Sequence, residues 1–226
     1  MLIDIGGKPL ILRAWETAIG EAIGPVVVAT DCGEIASVIQ AAGGAIAMTR
    51  QDCNCGTARV GEAIAKIDPD RRHNIVVNMQ GDNPFLPVGA LASAINLLET
   101  PETGIGTLAC LASAEESDDP NAVKIIGAET DARRLRALYF TRARAPWGDG
   151  PIYKHVGVYA FRRSALEQFV ALPPSPLEKR ERLEQLRALE AGIRIDAAVL
   201  DNGASSVDTW RDLAMASLAA IAQDHS

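Results

Sequence analysis

The sequence predicts a single-domain α/β protein with a mixed, mostly parallel sheet and helices on both of its faces. Short apolar segments rich in β-branched residues alternate with helix-like segments at short intervals, which is typical of such sheets. No internal repeat, low-complexity tract or linker rich in Pro, Gly and Ser divides the sequence. The 226 residues are enough to bury one full core.

The elements follow one another along the chain. Pro9 suits the first turn of a helix that reaches about Ile19. The periodicity then predicts a strand at 25–30, a helix at 33–42, a strand at 45–49, a helix at 59–67 and a strand at 74–79. In the second half it predicts strands at 104–111, 122–126, 136–140, 155–161 and 193–200, a long helix at 176–191, and a closing helix from Asp208.

The beginning of the chain lacks a feature of this fold class. Sheets of this kind normally open with a buried strand, yet none precedes the helix at Pro9. We therefore expect the sequence to be incomplete at its amino terminus relative to its class. Either Met1 is an internal methionine of a longer protein, or the chain is truncated and folds poorly or lacks activity.

Composition argues against several functional classes. The 22 Lys and Arg residues against 29 Asp and Glu give a net charge of -7, which disfavours a broad nucleic-acid surface. The apolar runs are too short to cross a bilayer, and the amino terminus does not have the pattern of a secretion signal. The spacings of the four cysteines favour neither a disulfide framework nor a zinc site. We therefore expect a cytoplasmic protein that binds neither membrane nor nucleic acid.

A carboxylate follows the predicted strand at 74–79. Gly81 lets the chain turn there, and Pro84 prevents the strand from continuing. Ligands of open α/β sheets bind at the carboxyl ends of strands, so Asp82 is well placed to hold a metal ion. From this segment alone, Asp82 could instead cap a turn or the helix that starts near Pro87.

The predicted helix at 176–191 carries a polar stripe. Glu178, Glu181 and Gln185 follow the spacing i, i+3 and i+7, so one helix would present them together. They could hydrogen-bond a polyhydroxylated ligand. Alternatively they form an ordinary solvated face with pairs such as Glu178 with Arg182.

The strand at 155–161 alternates polar and apolar residues. This places His155, Gly157 and Tyr159 on one side, where they could form a wall against a sugar or simply pack.

Three further segments contain candidates. Arg142 follows a strand and could clamp a carboxylate with its bidentate fork, as could Arg144. Asp208 stands where a helix cap is the default interpretation. The small, polar segment 56–59 begins a helix that could approach a nucleotide, although many helices begin this way.

The sequence closely resembles the CMP-Kdo synthetases, or 3-deoxy-manno-octulosonate cytidylyltransferases, among the nucleotidyltransferases that activate sugars. The resemblance runs from Leu2 to about Leu213. The matching motifs, in family order, are Ile5-Gly6-Gly7-Lys8-Pro9-Leu10, Val28-Ala29-Thr30-Asp31, Met48-Thr49-Arg50, Gly56-Thr57-Ala58-Arg59, Gln80-Gly81-Asp82, Pro120-Asn121-Ala122-Val123-Lys124, Tyr139-Phe140-Thr141-Arg142, Lys154-His155-Val156-Gly157-Val158-Tyr159, Pro174-Ser175-Pro176-Leu177-Glu178, Leu183-Glu184-Gln185-Leu186-Arg187 and Val207-Asp208-Thr209.

The resemblance implies a nucleotide-diphospho-sugar transferase-like, Rossmann-like fold and a cytosolic homodimer. Its reaction would join CTP and Kdo (3-deoxy-manno-octulosonate) into CMP-Kdo and pyrophosphate, for lipopolysaccharide synthesis in Gram-negative bacteria. The resemblance places Asp82 and Asp208 as Mg²⁺ ligands at the α-phosphate. It places Gly56, Thr57 and Arg59 near the nucleotide, and it assigns to the Kdo pocket Gln80, Arg142, His155, Tyr159, Glu178, Glu181 and Gln185.

Some positions depart from the family pattern. The opening strand and the phosphate loop that holds the triphosphate have no counterpart here, because Gly7-Lys8-Pro9 matches a second such motif. Asn83 replaces a Glu, and Cys55 and Ala58 replace a Ser and a Glu. These departures leave two alternatives open: a cytidylyltransferase for a Kdo variant such as 8-amino-Kdo, or a catalytically degenerate homologue that binds nucleotide or sugar.

Overall fold

The computed structural model describes residues 1–53, 55–131 and 133–201. Within them two compact units are distinguished: unit 1 contains residues 1–69 and 79–88, and unit 2 contains residues 70–78 and those from 89 onward. The single-domain organisation stays a prediction, and the predicted helix from Asp208 lies outside the described residues. Among the helices that the structure describes, none has both the length and the apolar character needed to cross a bilayer.

Unit 1 is built from short strands and three helices. Its two strand pairs are an antiparallel pair of two-residue strands and a parallel pair whose register runs from Val27 opposite Ala45 to Thr30 opposite Met48. The parallel strands are joined through a helix, as in a βαβ motif. In chain order the elements are β1 (Asp4–Ile5), β2 (Lys8–Pro9), α1 (Leu10–Gly20), β3 (Val27–Thr30), α2 (Gly33–Ala41), β4 (Ala45–Met48) and α3 (Gly56–Ile67).

Unit 2 contains most of a six-stranded sheet in the order β5-β9-β6-β10-β8-β7. The strands β6 and β10 are parallel, whereas β9 with β6, β8 with β10 and β7 with β8 are antiparallel. The strands are β5 (Ile75–Met79), β6 (Ile105–Leu111), β7 (Lys124–Asp131), β8 (Arg134–Thr141), β9 (Tyr153–Arg162) and β10 (Ile195–Leu200). The helices are α4 (Ala90–Asn96), α5 (Ala114–Asp118), α6 (Arg163–Ala171), α7 (Pro176–Glu181) and α8 (Gln185–Glu190).

The core of unit 2 explains why these segments become central strands. The buried apolar side chains include Leu108, Phe140, Phe161 and Ile195, which come from four different strands, and Phe169 from α6. Burial of each such side chain contributes about 1.5–3 kcal/mol. The sheet is therefore stabilised chiefly by apolar packing, and polar residues buried within its strands are exceptions.

The mixed α/β fold and the predicted strands are confirmed. The strands β7 and β8 run past their predicted ends because they pair with each other as a hairpin. The helix predicted from residue 59 begins at Gly56. The first helix begins at Leu10, so Pro9 stands just before it instead of in its first turn.

The long helix predicted at 176–191 is wrong. The structure has two short helices, α7 and α8, separated at Arg182, whose backbone is left-handed with φ 57°. Leu183 N–H donates to the carbonyl of Glu178 at 3.2 Å, which closes α7. The break buries Leu183 to 6% exposure. The spacing of Glu178, Glu181 and Gln185 therefore no longer places them on one stripe.

Gly106 marks a tight contact between β6 and α4. A Cβ atom added there would overlap the carbonyl oxygen of Ala94. We expect Gly106→Ala to lower the free energy of unfolding by about 1–3 kcal/mol, because the backbone of Ala94 cannot move aside as easily as a flexible side chain. Urea denaturation measures the change. The matched control is Gly20→Ala, where a Cβ meets nothing within 4 Å, and an equal loss in both variants would contradict the explanation.

Candidate active site

The turn after β5 positions Asp82 in unit 1. Asn83 N–H donates to the carbonyl of Gln80 at 3.2 Å, and its side-chain amide donates to Asp82 Oδ1 at 2.8 Å. A Cβ atom at Gly81 would come within 2.9 Å of Sδ of Met1, so a larger residue there would displace that flexible side chain. Asn83 is only 3% exposed, so its amide is a fixed donor that orients the carboxylate.

The donor chemistry of Asp82 fits a magnesium ion. Mg²⁺ is usually held by one or two carboxylates together with substrate phosphates and water. The second predicted ligand, Asp208, lies outside the described residues. Among the residues that are described, no three His, Cys, Asp or Glu side chains form a metal-binding group. The two-aspartate site therefore stays a prediction.

The segment predicted to approach the nucleotide forms the first turn of α3 in unit 1. Arg59 lies at the carboxyl ends of both parallel strands: Nη2 is 3.0 Å from Oδ2 of Asp31, just after β3, and Nη1 donates to Thr49, just after β4, at 2.5 Å. Thr57 is 1% exposed, and Gly56 opens the helix. The amino terminus of a helix of 12 residues, beside this arginine, suits an anionic group such as a phosphate.

In unit 2, the structure brings Arg142 and Glu181 together. Arg142 Nε donates to the carbonyl of Glu181 at 3.0 Å, and its backbone N–H donates to the carboxylate at 3.1 Å. Arg142 Nη1 donates to the carbonyl of Pro120 at 2.9 Å. A bidentate clamp on a ligand carboxylate would therefore use Nη2 and share Nη1 with that carbonyl. The other candidate, Arg144, pairs with exposed Asp118 at 3.1 Å.

Glu178 is engaged within the fold. Its carboxylate accepts from Ser175 N–H at 3.0 Å in a capping box, and from Arg187 at 2.8 and 2.5 Å. Burial by itself would raise the pKa of Glu178, but the hydrogen bonds from Arg187 and Ser175 outweigh it and lower the pKa. Its side chain therefore attaches the first turn of α7 to helix α8. A contact between Glu178 and a sugar stays a prediction.

The rings of His155 and Tyr159 stand side by side on β9. Their centroids are 5.3 Å apart, and Phe140 and Phe161 extend the row at 5.2 and 5.9 Å from its two ends. Burial lowers the pKa of His155 to about 3. Burial, followed by the charge of Glu184, raises the pKa of Tyr159. Both rings are therefore neutral near pH 7.

Two side chains of unit 2 combine burial with unused polar groups. Tyr159 is 3% exposed and Gln185 is 5% exposed, yet no hydrogen bond of either side chain occurs within residues 1–53, 55–131 and 133–201. Buried polar groups normally have partners, which makes these two groups strong candidates for ligand contact.

Sequence reasoning gave no role to three buried polar residues of unit 2. Lys124 donates to the carbonyls of Asp119 and Ala122 at 2.7 and 2.6 Å and holds the loop that Arg142 contacts. Arg187 pairs with Glu178, and Thr107 contacts His155. Thr107 could have been noticed as a polar residue inside an otherwise apolar strand. The spacing of charged residues along the chain does not identify Glu178 as the partner of Arg187.

Comparisons with known proteins agree on one family. A family model described as cytidylyltransferase matches residues 1–195. A 3-deoxy-manno-octulosonate cytidylyltransferase of Methylorubrum extorquens is 53% identical over 213 residues, which cover 94% of this chain and 86% of the relative. The enzyme of that name from Rhodopseudomonas palustris is 54% identical, with 94% and 87% covered.

The chain is also similar to solved structures. The structure of a CMP:2-keto-3-deoxy-manno-octonic acid synthetase complexed with CTP superposes with a TM-score of 0.87 at 35% identity, covering 99% of this chain and 91% of that one. A glucose-1-phosphate thymidylyltransferase structure from Bacillus anthracis has a TM-score of 0.66 at 16% identity, with 97% and 85% covered. The second similarity concerns the fold alone.

Proposed function

Because the chain belongs to the cytidylyltransferase family, we propose that it activates Kdo with CTP, giving CMP-Kdo and pyrophosphate. The anomeric hydroxyl oxygen of Kdo bonds to the α-phosphorus of CTP, the bond from that phosphorus to the β-phosphate oxygen breaks, and the hydroxyl proton is released. The assignment of the sugar rests on the polar groups of Tyr159 and Gln185, which are buried without an internal hydrogen bond in the described part of the chain, and on the adjacent His155 ring, since such groups suit a ligand with many hydroxyl groups.

The residues of unit 2 would bind the sugar. Tyr159 and Gln185 would form hydrogen bonds with its hydroxyl groups. Arg142 would bind its carboxylate through Nη2. Glu181 orients Arg142 through the hydrogen bonds on its carboxylate and its carbonyl. Glu178 would contribute to sugar binding chiefly by holding α7 in place through its ion pair with Arg187.

The residues of unit 1 would serve the nucleotide and the metal. Arg59 and the first turn of α3, with Gly56 and Thr57, would bind phosphate oxygens. Asp82 would bind Mg²⁺ with Asp208, and Gln80 closes the turn that presents Asp82. A metal ion held there would supply positive charge to the phosphate oxygens.

The proposal also includes a homodimer, a cytoplasmic location and a place in lipopolysaccharide synthesis. These features come from the family resemblance, and the dimer can be tested directly. Light scattering on the purified chain should give twice the mass of one copy, and a single-copy mass over the working concentration range would contradict the dimer.

The direct test is pyrophosphate release from CTP, Kdo and Mg²⁺. Release should require all three components, and CMP-Kdo should appear in equal amount. The assay is also run with 8-amino-Kdo, and on a chain extended upstream. Faster turnover of 8-amino-Kdo would reassign the sugar, whereas binding of CTP without release from either chain would favour a degenerate homologue.

Gln185 allows a prediction that separates binding from folding. We expect Gln185→Leu to raise the KM for Kdo about tenfold, because it removes one or two hydrogen bonds to the ligand. The KM for CTP should stay unchanged, since Gln185 is assigned to the sugar.

The thermal midpoint should also be unaffected by Gln185→Leu, since no internal hydrogen bond of this side chain occurs in the described part of the chain. Steady-state kinetics and thermal unfolding measure both quantities. A large loss of thermal stability, or equal effects on the two substrates, would contradict the assignment.

A further inference from the structure

A fully buried hydroxyl contacts the His155 ring. Thr107 is 0% exposed and lies on β6, opposite Tyr159 of the antiparallel neighbour β9. The register of this pair shifts between Thr107 and Leu108, where β9 bulges. At the bulge, Thr107 Oγ1 is 2.6 Å from the carbonyl oxygen of Val158 and 2.9 Å from Nε2 of His155.

These two contacts determine which ring nitrogen carries hydrogen. A threonine hydroxyl has one hydrogen to donate and two lone pairs with which to accept. The carbonyl of Val158 can only accept, so Thr107 donates its single hydrogen there. The contact with His155 must then be accepted by Thr107 from an N–H. Nε2 of His155 is therefore protonated.

The second ring nitrogen is consequently an acceptor. The His155 ring packs edge-on against Phe140 and beside Tyr159, and burial lowers its pKa to about 3. The neutral ring carries a single hydrogen, which is on Nε2, so Nδ1 has a free lone pair. Within the residues that the structure describes, His155 makes no hydrogen bond through Nδ1.

We propose that Thr107 is a positioning residue that fixes this tautomer, so that Nδ1 of His155 selects a ligand group able to donate a hydrogen bond. A sugar hydroxyl is such a group, whereas a carboxylate or keto oxygen can only accept and is disfavoured at this point. The identity of the ligand rests on the proposed function. The role of Thr107 in setting the tautomer does not, because it follows from contacts inside unit 2.

The arrangement adds selectivity that the aromatic wall alone cannot provide. Ring faces accept many orientations of an apolar surface, but one fixed acceptor recognises one donor position. Sites built to hydrogen-bond a substrate hydroxyl discriminate strongly against analogues that lack it, because the polar group of the site is left without a partner. Thr107 would thus fix the orientation of the sugar without touching it.

The first test measures the tautomer directly on the full chain. Long-range ¹H–¹⁵N spectra distinguish a protonated ring nitrogen from an unprotonated one, and the His155 signals are assigned by their absence in His155→Asn. We expect Nε2–H in the wild-type protein and in Thr107→Ser, and a substantial Nδ1–H population in Thr107→Val. Nδ1–H in the wild-type protein, or an unchanged tautomer in Thr107→Val, would overturn the proposal.

The second test uses the reaction. Thr107→Val should raise the KM for Kdo about tenfold with the KM for CTP unchanged, and Thr107→Ser should restore it. In a series of Kdo analogues with single hydroxyl groups replaced by fluorine, one should lose about tenfold in affinity for the wild-type protein but not for Thr107→Val. An equal loss in both proteins would overturn the donor requirement. Absence of turnover with the expected tautomer present would instead reject the proposed function.

Discussion

Asp82→Asn is expected to slow pyrophosphate release from CTP and Kdo about 100–1000-fold. The substitution keeps an oxygen that can accept from Asn83, so the turn after β5 is preserved, but it removes the charge that would bind Mg²⁺. A metal ion that stabilises transition-state charge contributes several kcal/mol, and each 1.36 kcal/mol corresponds to a factor of ten in rate. The Mg²⁺ concentration for half-maximal rate should rise at the same time.

The matched control for this prediction is Asp70→Asn. Asp70 is an exposed aspartate whose side chain is 68% accessible and pairs with Arg72 on the surface. It should leave both the rate and the Mg²⁺ dependence unchanged. A rate for Asp82→Asn close to that of the wild-type protein would show that Asp82 is only a turn residue, which is the alternative that the sequence left open.

The strands were predictable because the residues that identify them in the sequence are also the residues that stabilise them. Segments such as 75–79 and 105–111 are apolar and β-branched, and the same side chains that identify them fill the core of the sheet. The ends of β7 and β8 were less predictable, since a hairpin extends as far as cross-strand pairing allows. Pairing between distant segments leaves no periodicity in either one.

The broken helix shows where local patterns fail. Propensity and spacing favour one helix from Pro176 to Ala191, and no glycine or proline interrupts it. The interruption at Arg182 is stabilised by the ion pair between Arg187 and Glu178 and by the burial of Leu183. Helix propensity and spacing do not reveal either of these two contacts.

The candidate site was predictable in part. The resemblance named His155 and Tyr159, and the structure places their rings in contact. It did not indicate Thr107, because this buried threonine of a neighbouring strand matters only through a bulge that places its hydroxyl between one acceptor, the carbonyl of Val158, and one donor, Nε2 of His155. Hydrogen-bond direction is thus a property of the fold that sequence motifs do not contain.

Arg187→Met is expected to lower the free energy of unfolding by about 3–5 kcal/mol. The side chains of Arg187 and Glu178 are 4% and 12% exposed, and removing one partner of a buried ion pair leaves the other charge without compensation. The substitution also removes the guanidinium that lies 4.7 Å from the centre of the Phe169 ring. Urea denaturation at pH 7 measures the loss, and combining it with Glu178→Gln should recover part of it.

The pH dependence of stability distinguishes this pair from simple packing. Glu178 has a pKa below its ordinary value of 4.5 in the folded protein, so its contribution is present above 4.5 and is lost as the pH falls through the lowered pKa. Arg187→Met should abolish that part of the acid destabilisation. The control is Arg133→Met, which breaks an exposed pair with Asp201 and should cost less than about 1 kcal/mol. Equal costs for the two variants would mean that burial of the charge pair is not what stabilises the junction between α7 and α8.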